Sequence, residues 1–195
     1  MNTDPILLAI IHFADKAHGN QMRKYTPDRY IVHPVRVMEI CKAYTDDLAM
    51  LAAAILHDVL EDTPVTKEQL KKFLLTLMSE EQATQTVQLV EELTDVYVKE
   101  NYPKWNRKKR KNKEAERLEK TSAAVQTIKY ADMIDNAPEI AEKDPDFAKR
   151  FIPEYKALLK KINKGNPDLY KKATETINSC MALQRRLGRN QRITE

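Results

Sequence analysis

Apolar side chains recur at helical spacing along most of the chain. Leu7, Ile10 and Ala14 share one face of a first amphipathic helix. We expect this helix over residues 4–18, because Gly19 ends it. The same period predicts one helix beginning after Thr66 and others over residues 35–43, 46–60, 80–93, 114–136, 146–163 and 167–187. No succession of alternating strand-like segments interrupts this pattern, which therefore predicts an all-α fold.

Proline and capping residues mark where several of these helices begin and end. Pro34 suits the first position of the second helix, which places His33 at the entrance of that helix. Thr66 and Ser79 are each followed three residues later by a glutamine, the spacing of a capping box. Pro138 is expected to break the long helix that precedes it.

Composition narrows the class of protein. The 195 residues include only three glycines, and long segments consist of helix-forming Ala, Leu, Lys, Glu, Gln and Arg. This length suits one domain, which we expect over residues 1–187, followed by a frayed tail over residues 188–195. Cys41 and Cys180 form neither a metal-binding spacing nor a disulfide framework, which favours a reducing, cytoplasmic location. No apolar run approaches the roughly 20 residues of a membrane span.

The positive charge of the chain is concentrated in one segment. The formal net charge of +4 does not by itself decide between classes of partner. Lysines and arginines crowd between Lys104 and Lys113 around Trp105. We expect the surrounding segment, residues 97–120, to form a loop leading into a solvated helix. Basic residues beside an aromatic side chain also occur in nucleic-acid-binding proteins, so this interpretation stays open beside the simpler one of a solvated helix face.

Candidate metal ligands lie in three places along the chain. They are His33, the adjacent His57 and Asp58, and the distant Asp132. Imidazole and carboxylate groups together suit a hard or borderline divalent ion such as Mn²⁺, Fe²⁺ or Zn²⁺. A single histidine near a helix start is more often a hydrogen-bonded structural residue, so the assignment depends on the neighbouring groups.

Additional polar side chains accompany these candidates. Asp58, Glu61 and Asp62 are spaced to share one helical face near the end of the third predicted helix. Carboxylates are unfavourable near the negative C-terminal pole of a helix, so a cation would stabilise them there. Asp132 and Asn136 are also one helical turn apart and share a face. Together these residues predict a metal site with acid, base and amide groups beside it.

Several motifs occur in a fixed order along residues 14–136. They read QMRKYTPDRYIVHP, AAAILHDVLEDTPV, VEELTDV and IKYADMIDN. In this order they closely resemble the hydrolase domain of the RelA/SpoT alarmone enzymes, and by length the chain resembles the stand-alone small alarmone hydrolases. The resemblance implies an HD-domain helical bundle, one Mn²⁺ ion, and release of pyrophosphate from the 3′ position of ppGpp or pppGpp to leave GDP or GTP. A small nucleotide is therefore the expected partner, rather than a membrane or a nucleic acid.

The same resemblance implies roles for individual residues. It implies that the metal ligands are His33, His57, Asp58 and Asp132. It implies that Glu61 and Asp62 handle the attacking water and the transfer of protons. The substrate-binding residues that it implies are Arg23, Lys24, Lys104, Asn136, Arg150 and Tyr155. At Met133 and Asp135 the chain departs from the basic and the aromatic or histidine residues common in the family, which bears on substrate preference and leaves the metal set intact.

The residue types themselves favour hydrolysis by direct attack of water. A divalent ion can bind a phosphoryl oxygen and lower the pKa of a water molecule, which Glu61 or Asp62 can orient and deprotonate. No serine or cysteine lies in a recognisable nucleophile setting, and no glycine-rich phosphate motif occurs. The alternatives are an HD phosphatase acting on another nucleotide such as NADPH, a catalytically idle HD regulator, and a basic nucleic-acid-binding protein.

Overall fold

The structure, a computed structural model, describes residues 4–191 and divides at the Val98–Lys99 junction into two compact units. The helices of the first unit are α1 Pro5–His18, α2 Val32–Lys42, α3 Leu48–Leu56, α4 Val59–Asp62, α5 Lys67–Leu74 and α6 Glu80–Leu93. Those of the second unit are α7 Arg107–Leu118, α8 Ala123–Lys143, α9 Pro145–Leu159 and α10 Pro167–Gln191. Within residues 4–191 the only β-type pairing outside these helices is an isolated bridge between Met22 and Arg29, which confirms the all-α prediction.

Helix α3 forms the centre of the first unit. Every residue from Ala49 to Leu56 is buried, so this helix is apolar on all sides rather than on one face. It packs against α1, α2 and α6, whose buried residues include Leu7, Val37 and Val90. This packing fixes the C-terminal end of α3, where His57 follows.

The third helix is interrupted, and the prediction of a continuous helix over residues 46–60 was wrong. The ring Nδ1 of His57 lies 2.8 Å from the carbonyl oxygen of Ala54. That oxygen is the acceptor that a continuous helix would pair with the amide of Asp58. Glu61 and Asp62 consequently lie on the separate helix α4, whose four residues are too few for the argument from a negative helix pole.

The second unit is built on α8, which packs against α9 and α10. The prediction of one helix over residues 114–136 was wrong at both ends. The basic segment forms α7, and α8 begins only after Ser122, whose hydroxyl accepts a hydrogen bond from the amide of Val125 at 3.3 Å. Pro138 lies inside α8 and removes one backbone donor, yet packing against two helices keeps α8 helical to Lys143.

A loop between α9 and α10 is fastened to α8 just before Asp132. The hydroxyl of Tyr130 donates to the carbonyl oxygen of Ile162 at 2.8 Å, and the amide of Asn166 donates to the hydroxyl of Thr127 at 2.8 Å. Burial raises the pKa of Tyr130 to about 12, so its hydroxyl stays protonated and keeps donating. These contacts fix the part of α8 that carries Asp132.

Several predicted helix boundaries are confirmed and others move by a few residues. Asp4 caps α1, and Gly19 follows it with a φ of 58°, in the left-handed region that favours glycine. Thr66 and Ser79 both form the predicted capping boxes, with Gln69 and Gln82 as their partners.

The remaining boundaries shift. Helix α2 begins at Val32, so His33 and Pro34 lie within its first turn. Helix α9 ends at Leu159 instead of residue 163, and α10 continues to Gln191 instead of residue 187. The rest of the expected tail, residues 192–195, lies outside the described residues, and the single domain expected over residues 1–187 stays a prediction. Among residues 4–191 no helix has both the length and the apolar character needed to cross a bilayer.

Candidate metal centre

His33, His57 and Asp58 converge in the first unit. Each offers one ligand atom, and these atoms lie within 4.8 Å of one another. Oδ2 of Asp58 is 3.0 Å from Nε2 of His57 and 3.8 Å from Nε2 of His33. The two imidazoles are buried, at 1% and 3% side-chain exposure, whereas the Asp58 side chain is 21% exposed. The cluster is thus fixed by the core on one side and reachable from solvent on the other.

The hydrogen bonding of His57 prepares it as a ligand. Nδ1 faces the carbonyl oxygen of Ala54, which can only accept, so Nδ1 carries the proton. In the neutral ring, Nε2 then has a lone pair directed towards Asp58. Two acceptors so close together repel unless a cation or a second ring proton lies between them. A divalent ion between the two groups would remove this repulsion.

Tyr30 orients the carboxylate of Asp58. Its hydroxyl donates to Oδ2 of Asp58 at 2.6 Å, and its ring lies edge-on to His33 with 6.0 Å between centroids. A hydrogen bond to a ligating carboxylate is a usual means of fixing a metal ligand. The sequence analysis missed this residue, although it stands three positions before His33 in the first quoted motif.

Glu61 and Asp62 present exposed carboxylates on α4, and each is fixed by a different segment. Oε2 of Glu61 accepts a hydrogen bond from the amide of Asp95 at 3.0 Å. Oδ2 of Asp62 accepts one from the side-chain Nε2 of Gln21 at 3.2 Å. Both carboxylates follow Asp58 closely in the chain while remaining available to solvent and to a ligand. Accessible carboxylates held by hydrogen bonds suit proton transfer.

Arg23 and Lys24 lie on a closed loop between α1 and α2. The amide of Arg23 donates to the carbonyl oxygen of Asp28 at 2.9 Å, and the amide of Tyr30 donates to that of Gln21 at 2.9 Å. Nζ of Lys24 donates to the hydroxyl of Tyr25 at 2.8 Å. These bonds shape the loop that presents the two cationic side chains.

Asp132 lies on α8 in the second unit and has strong polar neighbours on its own helix. Its side chain is 6% exposed. Nζ of Lys129 is 2.9 Å from Oδ2, and Nδ2 of Asn136 donates to Oδ1 at 2.6 Å. The predicted common face of Asp132 and Asn136 is confirmed. Lys129, which the sequence analysis did not single out, pairs with the same carboxylate from the preceding turn.

The other proposed substrate residues of the second unit lie on surface positions. Lys104 is exposed and precedes α7, next to the Tyr102–Trp105 ring pair, whose centroids are 4.5 Å apart. Arg150 is exposed on α9, and Tyr155 is half-buried on the same helix, with its ring centroid 4.2 Å from that of Phe151.

Much of the basic segment is engaged in contacts within the second unit. Arg107 donates to both carboxylate oxygens of Glu154, at 2.8 and 2.7 Å, which fastens α7 to α9. Nζ of Lys113 pairs with Glu116 at 2.6 Å. Nζ of Lys109 lies 4.2 Å from the ring centroid of Trp105. These three cations therefore contact groups of the same unit.

The donor set in the first unit fits a divalent metal ion. Ligand atoms that bind one ion at about 2.0–2.2 Å must lie within a few ångströms of one another, as these atoms do. Two imidazoles and a carboxylate suit Mn²⁺, Fe²⁺ and Zn²⁺. The tautomer of His57 and the hydrogen bond from Tyr30 complete the surroundings expected of such a centre.

The chain is similar to several known proteins. Residues 11–160 match the model of the HD domain family. The human guanosine-3′,5′-bis(diphosphate) 3′-pyrophosphohydrolase MESH1 is 30% identical over 165 residues, which cover 82% of this chain and 83% of the human protein. A probable guanosine-3′,5′-bis(diphosphate) 3′-pyrophosphohydrolase of Synechocystis is 32% identical over 152 residues, covering 75% of this chain and 18% of that longer protein.

A solved structure shares the fold. It is that of a metazoan ortholog of SpoT that hydrolyses ppGpp, and it superposes with a TM-score of 0.75 over 92% of this chain and 97% of the other. At 24% sequence identity, this likeness establishes the arrangement of helices and nothing finer.

Proposed function

This chain belongs to the HD-domain family of guanosine-3′,5′-bis(diphosphate) 3′-pyrophosphohydrolases, and we propose that it removes the 3′-pyrophosphate from ppGpp or pppGpp. Water supplies the oxygen that bonds to the phosphorus next to the ribose, the bond from that phosphorus to the 3′ oxygen breaks, and the 3′ oxygen takes up a proton. The products are GDP or GTP and pyrophosphate. The observation that carries the proposal is the cluster of two buried histidines, His33 and His57, with the partly exposed Asp58.

We propose Mn²⁺ as the ion and Asp132 as the fourth ligand. His33, His57 and Asp58 would hold the ion in the first unit, and carboxylate ligands shift the preference towards Mn²⁺. Asp132 is assigned from its place in the motif order and from its burial. When bound, such an ion supplies positive charge to a phosphoryl oxygen and makes a water molecule more acidic.

Glu61 and Asp62 would perform the proton transfers. One carboxylate accepts a proton from the attacking water, and the other, once protonated, returns a proton to the 3′ oxygen. The backbone amide of Asp95 and the side-chain amide of Gln21 each fix one of these carboxylates. Fixed orientation matters because a misplaced acid or base loses most of its catalytic effect.

The proposed substrate contacts use charge and planarity. The guanidinium of Arg23 can stack on the base, and Lys24 adds positive charge on the same loop. Asn136 offers an amide on the face of Asp132, suited to a ribose hydroxyl. The other proposed contacts are Lys104 with the leaving pyrophosphate, and Arg150 and Tyr155 with the far side of the substrate.

Two further properties follow from the same proposal. The partner is a small nucleotide rather than a nucleic acid, an assignment supported by the intramolecular contacts that Arg107, Lys109 and Lys113 make. The compartment is the cytoplasm, which suits Cys41 and Cys180 because both are buried free thiols.

The deciding experiment is a nucleotide panel. Metal-depleted protein is incubated with ppGpp, pppGpp or NADPH, with and without Mn²⁺, and the products are separated by ion-exchange chromatography. We expect Mn²⁺-stimulated conversion of ppGpp to GDP with one pyrophosphate for each GDP. Release of orthophosphate alone, or a clear preference for NADPH, would assign the chain to the phosphatase alternative instead.

A further inference from the structure

The side chain of Gln21 bridges a buried histidine and a proposed catalytic carboxylate. Its Oε1 is 2.8 Å from Nδ1 of His18, and its Nε2 donates to Oδ2 of Asp62 at 3.2 Å. Gln21 and Asp62 are separated by 41 positions in the chain, so the second bond is a tertiary contact. Asp62 is the last residue of the four-residue helix α4 and is exposed, so this bond restricts a carboxylate that would otherwise rotate freely.

The carboxylate of Asp62 decides which groups donate and which accept among His18, Gln21 and Asp62. An ionised Asp62 can only accept, so the amide nitrogen of Gln21 must face it. The amide oxygen of Gln21 then faces His18 and accepts, which places a proton on Nδ1 of His18. The hydrogen bond from His18 then holds the amide in this orientation.

Hydrogen bonds also hold the backbone of Gln21. The amide of Gln21 donates to the carbonyl oxygen of His18 at 3.1 Å, and its own carbonyl oxygen accepts from the amide of Tyr30 at 2.9 Å. The ring of His18, at the end of α1, is 7% exposed and lies 4.6 Å from the ring of Tyr30, measured between centroids. The backbone of Gln21 and its histidine partner are therefore both held in place.

A buried histidine at position 18 destabilises the fold if it only fills space. Its Nε2 is buried and has no hydrogen-bond partner among the described residues. Burying such a polar atom costs free energy that an apolar side chain of similar size would not cost. Unlike an apolar side chain, however, His18 forms a hydrogen bond from Nδ1 to Gln21.

We propose that Gln21 is a positioning residue that orients Asp62 for proton transfer, and that His18 fixes the orientation of the Gln21 amide. The inference rests on the proposed function, because it assigns Gln21 a role in the reaction through Asp62. Gln21 is also part of the loop that carries Arg23 and Lys24. A purely structural role in that loop would weaken substrate binding and raise KM, whereas orientation of Asp62 affects kcat.

The test combines Gln21→Met, which keeps the length of the side chain and removes its amide, with Asp62→Asn. In the wild-type background, we expect Gln21→Met to lower kcat for ppGpp about 10- to 100-fold with KM unchanged. In the Asp62→Asn background the same change should have little further effect, because the group on which it acts is already lost. Metal affinity, measured by calorimetry with Mn²⁺, should be the same with and without the change.

Two further variants test whether a loss of kcat comes from the missing hydrogen bond or from misfolding. Gln21→Glu keeps the shape and the acceptor for His18 but cannot donate to Asp62, and we expect a kcat loss similar to that of Gln21→Met. Gln88→Met is the matched control, because the exposed Gln88 donates to the carboxylate of Glu92 at 3.1 Å on α6. Its kcat should equal that of the wild type. In addition, two-bond ¹H–¹⁵N NMR spectra should show the proton of His18 on Nδ1 in the metal-free wild type and a changed tautomer balance in Gln21→Met.

The outcomes separate the inference from the function on which it rests. If the wild type hydrolyses ppGpp but Gln21→Met lowers kcat equally in both backgrounds, or raises KM alone, the inference is overturned and the proposed function stands. An unaltered kcat in Gln21→Met also overturns it. If the wild type releases no pyrophosphate from ppGpp in the presence of Mn²⁺, the proposed function fails, and the role of Gln21 fails with it.

Discussion

The two aspartates proposed as metal ligands have different surroundings. Asp58, in the first unit, lies 3.0 Å from an imidazole nitrogen of His57 and accepts a hydrogen bond from Tyr30 at 2.6 Å. Asp132, in the second unit, lies 2.9 Å from the ammonium group of Lys129 and accepts a hydrogen bond from Asn136 at 2.6 Å. One carboxylate is placed among other ligands, and the other is already paired with a cation.

This difference affects how strongly each aspartate would favour the binding of a metal ion. Beside Asp58, an ion would lie among the nitrogen and oxygen atoms of three candidate ligands and would relieve the repulsion between close acceptors. Beside Asp132, an ion meets a carboxylate whose charge Lys129 already balances. Positive charges repel at this range, so Lys129 weakens the contribution of Asp132 to metal binding. Under the proposed ligand set, the first unit supplies three of the four ligands, and Lys129 would weaken the contribution of Asp132 from the second unit.

The largest effect is expected from removing a ligand of the first unit. In His57→Ala, metal content should fall close to zero and ppGpp turnover should fall on the order of 10³-fold, beyond the 10- to 100-fold typical of residues outside the ligand shell. Elemental analysis and a pyrophosphate-release assay measure the two quantities. His12→Ala is the control, because His12 is an exposed histidine on α1 of the same unit. Unchanged metal content in His57→Ala would remove this cluster from consideration as the metal site.

The next effect separates the acid–base residues from the ligands. Glu61→Gln and Asp62→Asn keep an oxygen that can still accept from Asp95 and Gln21, but they lose the capacity to take up a proton. We expect each to retain metal and to lose about 10²-fold or more in kcat. Glu39→Gln, at an exposed position of α2, is the matched control. Wild-type turnover in both variants would exclude this pair from the chemistry.

Features determined within a few residues were predictable from the sequence. Thr66 and Ser79 cap their helices as predicted, because each capping box closes within one helical turn. The break at His57 was missed, since it depends on a side chain replacing a backbone donor at Ala54. The continuation of α8 through Pro138 was missed too, because packing against two other helices outweighs the local preference of proline.

The same difference between short-range and long-range contacts applies to the site. The order of the motifs identified His33, His57 and Asp58, and the structure brings these three together. The motif order gave no indication of Tyr30 or Gln21. The bond from Tyr30 to Asp58 spans 28 positions, and the bond from Gln21 to Asp62 spans 41. Both residues nevertheless lie in the quoted segment QMRKYTPDRYIVHP, where Gln21 precedes Arg23 and Tyr30 precedes His33. Residues able to form hydrogen bonds within three positions of a proposed functional residue are the signal that could have identified them.

A moderate effect is expected in the basic segment of the second unit. Lys104 is exposed, so its charge is partly screened, and we expect Lys104→Ala to lower kcat/KM for ppGpp about tenfold if it contacts the pyrophosphate. Lys109→Ala and Lys113→Ala should have smaller effects, because these lysines contact Trp105 and Glu116. Turnover and RNA affinity are measured for all three variants over a salt series. Tight, salt-sensitive RNA binding together with unaltered turnover of Lys104→Ala would favour the nucleic-acid interpretation.

The smallest effect on turnover is expected from Lys129→Met, which tests the assignment of Asp132 directly. Removing the ammonium group leaves a nearly buried carboxylate without its cation, so the free energy of unfolding of the metal-free protein should fall by about 1–3 kcal/mol. Lys149→Met is the control, because Lys149 forms a 2.8 Å pair with Asp146 at the surface, and its loss should be below about 1 kcal/mol. Denaturant unfolding with and without Mn²⁺ gives both values. If Asp132 binds the ion, Mn²⁺ should reverse much of the loss in Lys129→Met, because the ion replaces the missing charge. A loss of the same size with and without Mn²⁺ would mean that Asp132 is not a ligand, and that the metal site consists of the residues of the first unit alone.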